Sequence, residues 1–209
     1  MLEKSDHCKY LGMQIDENLK YNEHIELLCT KIAKLCSISY RIRNDLNLKS
    51  AKNVYFSCIY SILTYCICVY GGVLQCTSRG DRLINLHKRS VKNLFGRFGN
   101  RNVCIFKNMG ILKLVDIHKF YVAIYMYKVL KMNLCPTLQM NLDINTPSHH
   151  YETRHRNDLI LPFPRVIALR INFKYQCNNV WNNIPDEIKN CTSLKCFKRN
   201  LTNHFLDQY

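Results

Sequence analysis

One stretch of the chain, from Asn53 to Ser78, has no Lys, Arg, Asp, Glu or His among its 26 residues. The chain as a whole is strongly basic, since its 209 residues carry 30 Lys and Arg against 15 Asp and Glu. An uncharged segment of this length allows three structures: a membrane span, a buried core helix, or a site built on its cysteines.

The tyrosines of the stretch favour a buried helix. They recur every five positions from Tyr55 to Tyr70, whereas a membrane span keeps most Tyr near its two ends. We predict one helix over about residues 51–70, surrounded on most sides and ended by Gly71-Gly72 in the C-cap position. The alternative is a small membrane protein anchored by residues 54–76, with a basic cytoplasmic tail.

The 12 cysteines do not match a disulfide or zinc pattern. The N-terminus has no apolar segment typical of a secretory signal, so we expect no secretion and no disulfides. Cys66 and Cys68 are too close for a paired zinc knuckle, and Cys191-x4-Cys196 with His204 lacks a fourth ligand. We therefore expect most cysteines to be small buried hydrophobes and predict no metal site.

Apolar periodicity predicts three further long helices and a short one. A helix over residues 22–45 begins at Asn22 as N-cap. Another covers about residues 81–95, and a fourth follows a turn within residues 110–132. The short helix starts near Ser193. Their predicted buried stripes are Ile25, Leu28, Ile32, Leu35 and Ile38; Leu83, Ile84, Val91, Leu94 and Phe95; and Leu194, Phe197, Leu201 and Phe205.

Two other segments indicate β-structure. Residues 8–16 alternate around a Gly and predict a strand end or turn. Residues 157–176 show β-type runs broken by Pro162 and Pro164 and predict a small hairpin at a sheet edge. The predicted fold class is mainly α: a thumb-like helical bundle with a small β-hairpin element and a C-terminal helix. The predicted organisation is residues 1–20, a strand or turn remnant; 21–132, the bundle; 133–150, a linker; and 151–209, a small α+β module.

The positive charge is concentrated in the C-terminal part of the chain. Residues 79–209 carry a net charge of +13 and residues 1–78 only +2. From Arg79 to Lys113 there are nine basic residues and one acidic residue. Such an excess predicts an anionic partner, namely RNA, an RNA–DNA hybrid or DNA. The candidate nucleic-acid-binding residues are Arg82, Lys88, Arg89, Lys92, Arg97, Arg101, Arg154 and Arg156.

The segment "YETRHR" holds the last two of these arginines. Tyr151, close to Arg154 and Arg156, is a candidate for stacking on unpaired bases. A solvated turn explains the same composition equally well.

Motifs for catalysis are absent from the sequence. There is no phosphate-binding glycine loop, no H-E-x-x-H and no G-x-S-x-G. A two-metal polymerase needs several carboxylates around Mg²⁺, but acidic residues here are few and isolated. Asp16 is the one candidate for such a role, and we expect it instead to be a turn residue.

Three segments, in the right order, resemble the C-terminal part of reverse transcriptases from non-LTR retrotransposons of the jockey and CR1 kind. They are "KYLGMQIDENLKYNEHIELLCTKIAK"; "YFSCIYSILTYCICVYGG" with "LINLHKRSVKNLFG"; and "MGILKLVDIHKF" through "YETRHRNDLILPFPR" to "FKYQCNNVWNNIPDEIKNCTSLKCFKRNL". The Lys88-Arg89 pair matches a basic pair of the family. Ser61, Tyr70 and Cys177-Asn178 depart from its usual Pro, Trp and Gly-Pro, as in a divergent copy.

The resemblance implies a thumb and downstream region that grips nucleic acid. In the family the Mg²⁺-binding aspartates lie upstream of the Tyr-Leu-Gly strand, and no position here matches them. The chain alone is therefore expected not to be an enzyme and to hold no cofactor, Mg²⁺ belonging to the intact polymerase. The resemblance also implies a nuclear or cytoplasmic location, and no small-molecule substrate.

Overall fold

A computed structural model describes residues 6–99, 103–132, 159–161 and 171–209. Within these residues the chain is mainly α-helical with one small antiparallel hairpin, which confirms the predicted fold class. Two compact units are present: Met1–His118 with Phe205–Tyr209, and Lys119–His204. The linker expected at residues 133–150 lies outside the described residues.

The hairpin occupies the N-terminal segment where a strand end or turn was predicted. Strand β1, His7–Tyr10, pairs antiparallel with β2, Met13–Asp16. Leu11 and Gly12 between them have φ of 45° and 81°, because a two-residue hairpin turn of this hand needs positive φ at both positions. The Tyr-Leu-Gly motif thus forms the end of a strand and the turn after it.

Helix α1, Asn22–Ile42, follows the hairpin. The predicted N-cap is wrong by one residue, because Tyr21 is the cap, with φ of 52° and no side-chain cap bond. The Asp16 carboxylate replaces it by accepting the N–H groups of Asn22 at 3.0 Å and Lys20 at 2.6 Å. Asp16 itself is the last residue of β2, not a turn residue as expected, and its side chain holds the turn that follows.

The buried face of α1 starts as predicted and then drifts. Ile25, Leu28 and Ile32 are buried, but Leu35 is half-buried and Ile38 is exposed. Cys36 and Ser39 take their places in the core, because a repeat of 3.6 residues moves the stripe by one position over three turns.

The uncharged stretch is helical but not one helix. Helix α2, Leu48–Val54, continues through a π-helical turn at Tyr55–Tyr60 into α3, Ser61–Thr64. After a break come α4, Ile67–Tyr70, and a 3₁₀ turn over Gly71–Val73. The prediction of a single helix is therefore wrong at residues 65–66.

The break has identifiable causes. Cys66 has φ of 55°, a left-handed conformation that ends an α-helix. The hydroxyl of Tyr70 donates to the carbonyl of Leu63, and the hydroxyl of Tyr65 donates to the carbonyl of Leu11 in the hairpin turn. The first bond satisfies a carbonyl that the broken helix leaves free, and the second holds the bend against the hairpin.

Gly71 does not act as the predicted C-cap. Its φ of −63° is right-handed, so the chain continues as a 3₁₀ turn instead of ending. A Cβ atom at this position would lie 2.2 Å from Cδ2 of His118. The glycine is needed for this close approach and not for its backbone conformation.

Helix α5, Ser78–Phe95, is capped by Thr77, whose side chain accepts the N–H of Gly80. It includes the predicted helix and begins three residues earlier. The order of two sulfur contacts, Cys29 to the carbonyl of Arg79 and Cys36 to that of Leu86, shows that α5 runs parallel to α1.

The predicted stripe of α5 is confirmed at four of its five positions. Leu83, Val91, Leu94 and Phe95 are buried, whereas Ile84 is half-buried.

Three elements follow in order. Helix α6, Ile105–Met109, ends at Gly110 with φ of 68°, and α7 covers Leu114–Met132, so the predicted turn and long helix are confirmed. Helix α8 covers Phe173–Asn182 and overlaps the segment predicted to be β, which is therefore wrong for residues 173–176. Most of that segment lies outside the described residues.

The second unit packs aromatic rings against the last helix. After α9, Asp186–Lys189, helix α10 covers Leu194–Asp207. The ring of Phe197 stacks on that of Tyr127, with centroids 4.4 Å apart. The ring centroid of Trp181 lies 6.2 Å from that of Phe197.

The stripe predicted for the C-terminal helix is largely confirmed. Phe197, Leu201 and Phe205 are buried and Leu194 is half-buried.

Candidate nucleic-acid interface

Helix α5 has a buried apolar face and an exposed cationic face. The side chains of Arg82, Lys88, Arg89 and Lys92 are exposed, as predicted, and so is Arg97 just after the helix. Their positions along one helix place positive charge over several turns of the surface. The five residues do not all have the same surroundings, however.

Arg82 is an ion-pair partner. Its Nη1 lies 2.6 Å from Oε1 of Glu26 on α1, and Arg79 lies 4.0 Å from the other oxygen of the same carboxylate. Both partners are well exposed, so the pair contributes little to stability. It nevertheless reduces the net positive charge at this end of α5.

Arg97, just after α5, is hydrogen-bonded to the segment that follows α1. Its Nη1 donates to the carbonyl of Asn44 at 2.7 Å, and its Nη2 donates to the carbonyl of Leu46. The guanidinium also lies 4.5 Å from the ring of Phe98. Arg97 therefore has a structural role that the sequence prediction missed, and it retains its charge at the surface.

Arg89, Lys92 and Arg97 line one concave surface between the C-terminal ends of the parallel helices α1 and α5. This surface, the basic groove, has a volume of about 630 Å³ and no acidic residue in its lining. Lys88 is not among its residues. The lining consists of Tyr40, Arg43, Asn44, Arg89, Lys92, Asn93, Gly96 and Arg97.

Two groove residues escaped the sequence prediction. The guanidinium carbon of Arg43 lies 3.8 Å from the ring centroid of Tyr40, a cation–π contact, and the Tyr40 side chain is 54% exposed. An aromatic residue followed by Arg at i+3 in the last turn of an amphipathic helix is the signal that was available. Tyr40 adds a stacking surface beside the four cations of the groove.

The cations at this end also complement the helices. The C-terminal ends of α1 and α5 carry partial negative charge on free carbonyls, and Lys and Arg in the last turn stabilise such ends. Asn93 adds a direct link by donating to the carbonyl of Cys36 at 3.1 Å. Lys92, in the last turn of α5, thus stabilises its helix as well as lining the groove.

Three predicted binding residues lie outside the described residues: Arg101, Arg154 and Arg156. The same holds for Tyr151, so the stacking hypothesis for this segment stays a prediction. Among the residues that the structure describes, no group of three or more His, Cys, Asp or Glu side chains could hold a metal ion.

The buried side chain of His87 is not poised for acid–base chemistry. Burial lowers the pKa of His87 to about 3, and its Nε2 lies 2.9 Å from the hydroxyl of Tyr55. Burial likewise raises the pKa of that hydroxyl. Both groups are therefore neutral at physiological pH, as a core hydrogen bond requires.

The cysteines are more varied than predicted. Within the described part of the chain all are free, and only Cys29, Cys36 and Cys177 are buried. Four are exposed: Cys8, Cys58, Cys76 and Cys104. The prediction that most are buried hydrophobes is therefore wrong, because several lie on outward faces of their helices or in connecting segments.

The uncharged stretch is buried on one side only. Tyr55, Ile59 and Leu63 are fully buried, whereas Phe56 and Tyr65 are close to half exposed, so it is not surrounded on most sides. No single described helix is long and apolar enough to cross a membrane. Taken together, Leu48–Thr64 and Ile67–Val73 are long and apolar enough to span a membrane, judged by length and composition alone. The two segments are bent by 54° relative to each other.

No protein-family model, curated protein or solved structure matches the chain. The resemblance to non-LTR reverse transcriptases stays a prediction based on the ordered motifs.

Proposed function

We propose that the chain is the thumb and C-terminal region of a non-LTR retrotransposon reverse transcriptase, and that it binds nucleic acid without catalysing polymerisation. The observation that supports this best is the basic groove, which is lined by Arg43, Arg89, Lys92 and Arg97 and by no acidic residue. The motif resemblance supplies the class of polymerase, and the groove supplies a surface for phosphates.

The groove suits a backbone-directed interaction. Lys and Arg contacts to phosphates supply affinity and register without reading sequence. The helices that carry these cations are held together by the buried faces of α1 and α5, so the cations have a rigid support. A thumb needs this combination, since it must hold a product duplex of any sequence near the polymerase active site.

Salt dependence of binding tests the proposal. The full chain is titrated with a single-stranded RNA and an RNA–DNA hybrid at two salt concentrations, with filter retention as the measurement. Each phosphate contact that is made contributes about 0.9 to the slope of log K against log salt on a duplex and about 0.7 on a single strand. Absence of salt-sensitive binding to either substrate would overturn the proposal.

A second function has one observation in its favour. The bent pair Leu48–Thr64 and Ile67–Val73 passes a membrane-span test by length and composition, and Phe56 and Val69 are exposed along it. A membrane protein with a basic tail would resist carbonate extraction from a membrane fraction. Release of the expressed chain by carbonate supports the nucleic-acid-binding function, and retention supports the membrane anchor.

A further inference from the structure

Two cysteines of the second unit lie side by side. Cys191 follows helix α9, and Cys196 lies in the first turn of α10. The side-chain amide nitrogen of Asn200 lies 3.4 Å from the sulfur of Cys191 and 3.6 Å from that of Cys196. Both sulfurs therefore contact the same nitrogen atom. The Cys196 thiol is close enough to Cys191 to raise its pKa, together with desolvation.

The backbone on each side of the pair is held in place. The hydroxyl of Tyr127 donates to the carbonyl of Cys191 at 2.8 Å, and the N–H of Cys196 donates to the hydroxyl of Ser193 at 3.2 Å. The second bond is the N-cap of α10. These contacts hold the backbone at both cysteines.

Reagents have a route to the pair. Both side chains are half-buried, and Cys191 lines an open groove of about 480 Å³ together with Tyr127, Lys131 and Ser193. The thiols of Cys29 and Cys36 differ, since both side chains are buried in the first unit. The exposed cysteines, such as Cys58, are open to reagents but have no comparable cysteine pairing among the described contacts.

We propose that Cys191 and Cys196 are a dithiol site that reacts with small-molecule disulfides and closes to an intramolecular disulfide. In the first step the thiolate of Cys196 attacks one sulfur of the reagent, forms a mixed disulfide and releases one thiol. In the second step the thiolate of Cys191 attacks the Cys196 sulfur, and the second thiol leaves. Two protein thiols are oxidised and one reagent disulfide is reduced to two thiols, so atoms and electrons balance.

The order of attack follows from the surroundings of the two thiols. Desolvation and the neighbouring Cys196 thiol raise the pKa of Cys191, which makes it the slower nucleophile toward a reagent in solution. Cys196 lies in the first turn of α10. Closure would remove the Asn200 contacts to free thiols and join α9 to α10 covalently.

Peptide mapping tests the proposal directly. Lys195 lies between the two cysteines, so trypsin separates them into NCTSLK and CFK, and a disulfide appears as a linked peptide pair. The full chain is treated with glutathione disulfide, quenched with an alkylating agent and digested. We expect the linked pair, lighter by two hydrogens than the separate peptides, with loss of both free thiols.

Single variants separate a reacting pair from independent thiols. In Cys191→Ser a stable glutathione adduct should accumulate on Cys196, because no second thiol displaces it, and in Cys196→Ser modification of Cys191 should be slower. Glutathione adducts on both cysteines of the wild-type protein, without a linked pair, would overturn the proposal. So would a linked pair that forms no faster in the folded protein than under denaturing conditions.

Discussion

The hydroxyl of Tyr55 and Nε2 of His87 are hydrogen-bonded at 2.9 Å, with both side chains fully buried between the uncharged stretch and helix α5. This polar pair lies in the packed core of the first unit, where the ring of Phe95 is 5.9 Å from that of Tyr55. It fixes how the uncharged stretch faces the helix that carries the cations on its outer side.

Removal of one partner of this pair should destabilise the protein. Tyr55→Phe leaves a buried imidazole nitrogen without its partner, which costs about 1–3 kcal/mol. The double variant Tyr55→Phe/His87→Leu removes both polar groups and should recover part of that loss. Urea unfolding followed by circular dichroism measures the free energy of unfolding of each variant. A double variant that loses as much as Tyr55→Phe, or more, would show that the hydrogen bond is not the source of the effect.

The same histidine predicts a pH dependence of stability. His87 has a pKa of about 3 in the folded protein and about 6.5 when unfolded, so the unfolded state binds the extra proton. Stability should therefore fall as pH is lowered from about 6.5 towards 3, with a contribution approaching 1.4 kcal/mol per pH unit.

The contribution of His87 is isolated by comparison with a variant. Carboxylates also titrate at acidic pH, so the measured quantity is the difference in urea-unfolding free energy between the wild type and His87→Leu at several pH values. This difference should shrink or reverse in favour of the variant as pH falls. A difference that is constant between pH 7 and 4 would contradict the burial of His87.

Gly71 should not tolerate a methyl group. In Gly71→Ala the new Cβ would lie 2.2 Å from the His118 ring, and overpacking of this kind costs about 1–3 kcal/mol. Gly99→Ala is the matched control, because the nearest atom to a Cβ there is at 3.5 Å, an ordinary contact. A similar melting temperature for both variants would show that the close approach of Gly71 and His118 does not exist.

Substitution of Arg97 by Lys separates the structural role of this residue from its positive charge. Arg97→Lys keeps the positive charge but cannot reach the carbonyls of Asn44 and Leu46 with one planar fork. We expect a loss of about 1 kcal/mol in unfolding free energy and little change in RNA affinity. If affinity falls strongly while stability is unchanged, Arg97 acts as a specific ligand for phosphate and not as a fastening.

Regular amphipathic helices were predictable from this sequence, and departures from them were not. The 3.6-residue pattern identified α5 and α10 because each has one apolar and one polar face. Nothing in an uncharged run such as "LTYCIC" marks Cys66 as a left-handed residue, since the bend depends on hydroxyl bonds made by Tyr65 and Tyr70.

Charge density located the candidate interface but not its composition. The sequence placed Arg89 and Lys92 on an exposed face, and the structure agrees. It could not show that Arg82 is paired with Glu26, or that Tyr40 and Arg43 join the groove, because these depend on the parallel packing of α1 against α5.

Charge reversal in the basic groove tests the central claim most directly. The variant Arg89→Glu/Lys92→Glu is compared with Lys31→Glu/Lys34→Glu, which makes the same change in net charge on exposed positions of α1 outside the groove. Fluorescence anisotropy of a labelled RNA–DNA hybrid gives the affinity at a series of salt concentrations for each full-length protein, and circular dichroism confirms folding.

The groove variant should lose at least about tenfold in affinity, and its salt slope should fall by about 1.8, the share of two phosphate contacts. The control should lose less affinity and keep a slope close to that of the wild type. Equal losses in the two variants, with equal slopes, would contradict a defined nucleic-acid interface and leave only the general attraction of a basic protein for a polyanion.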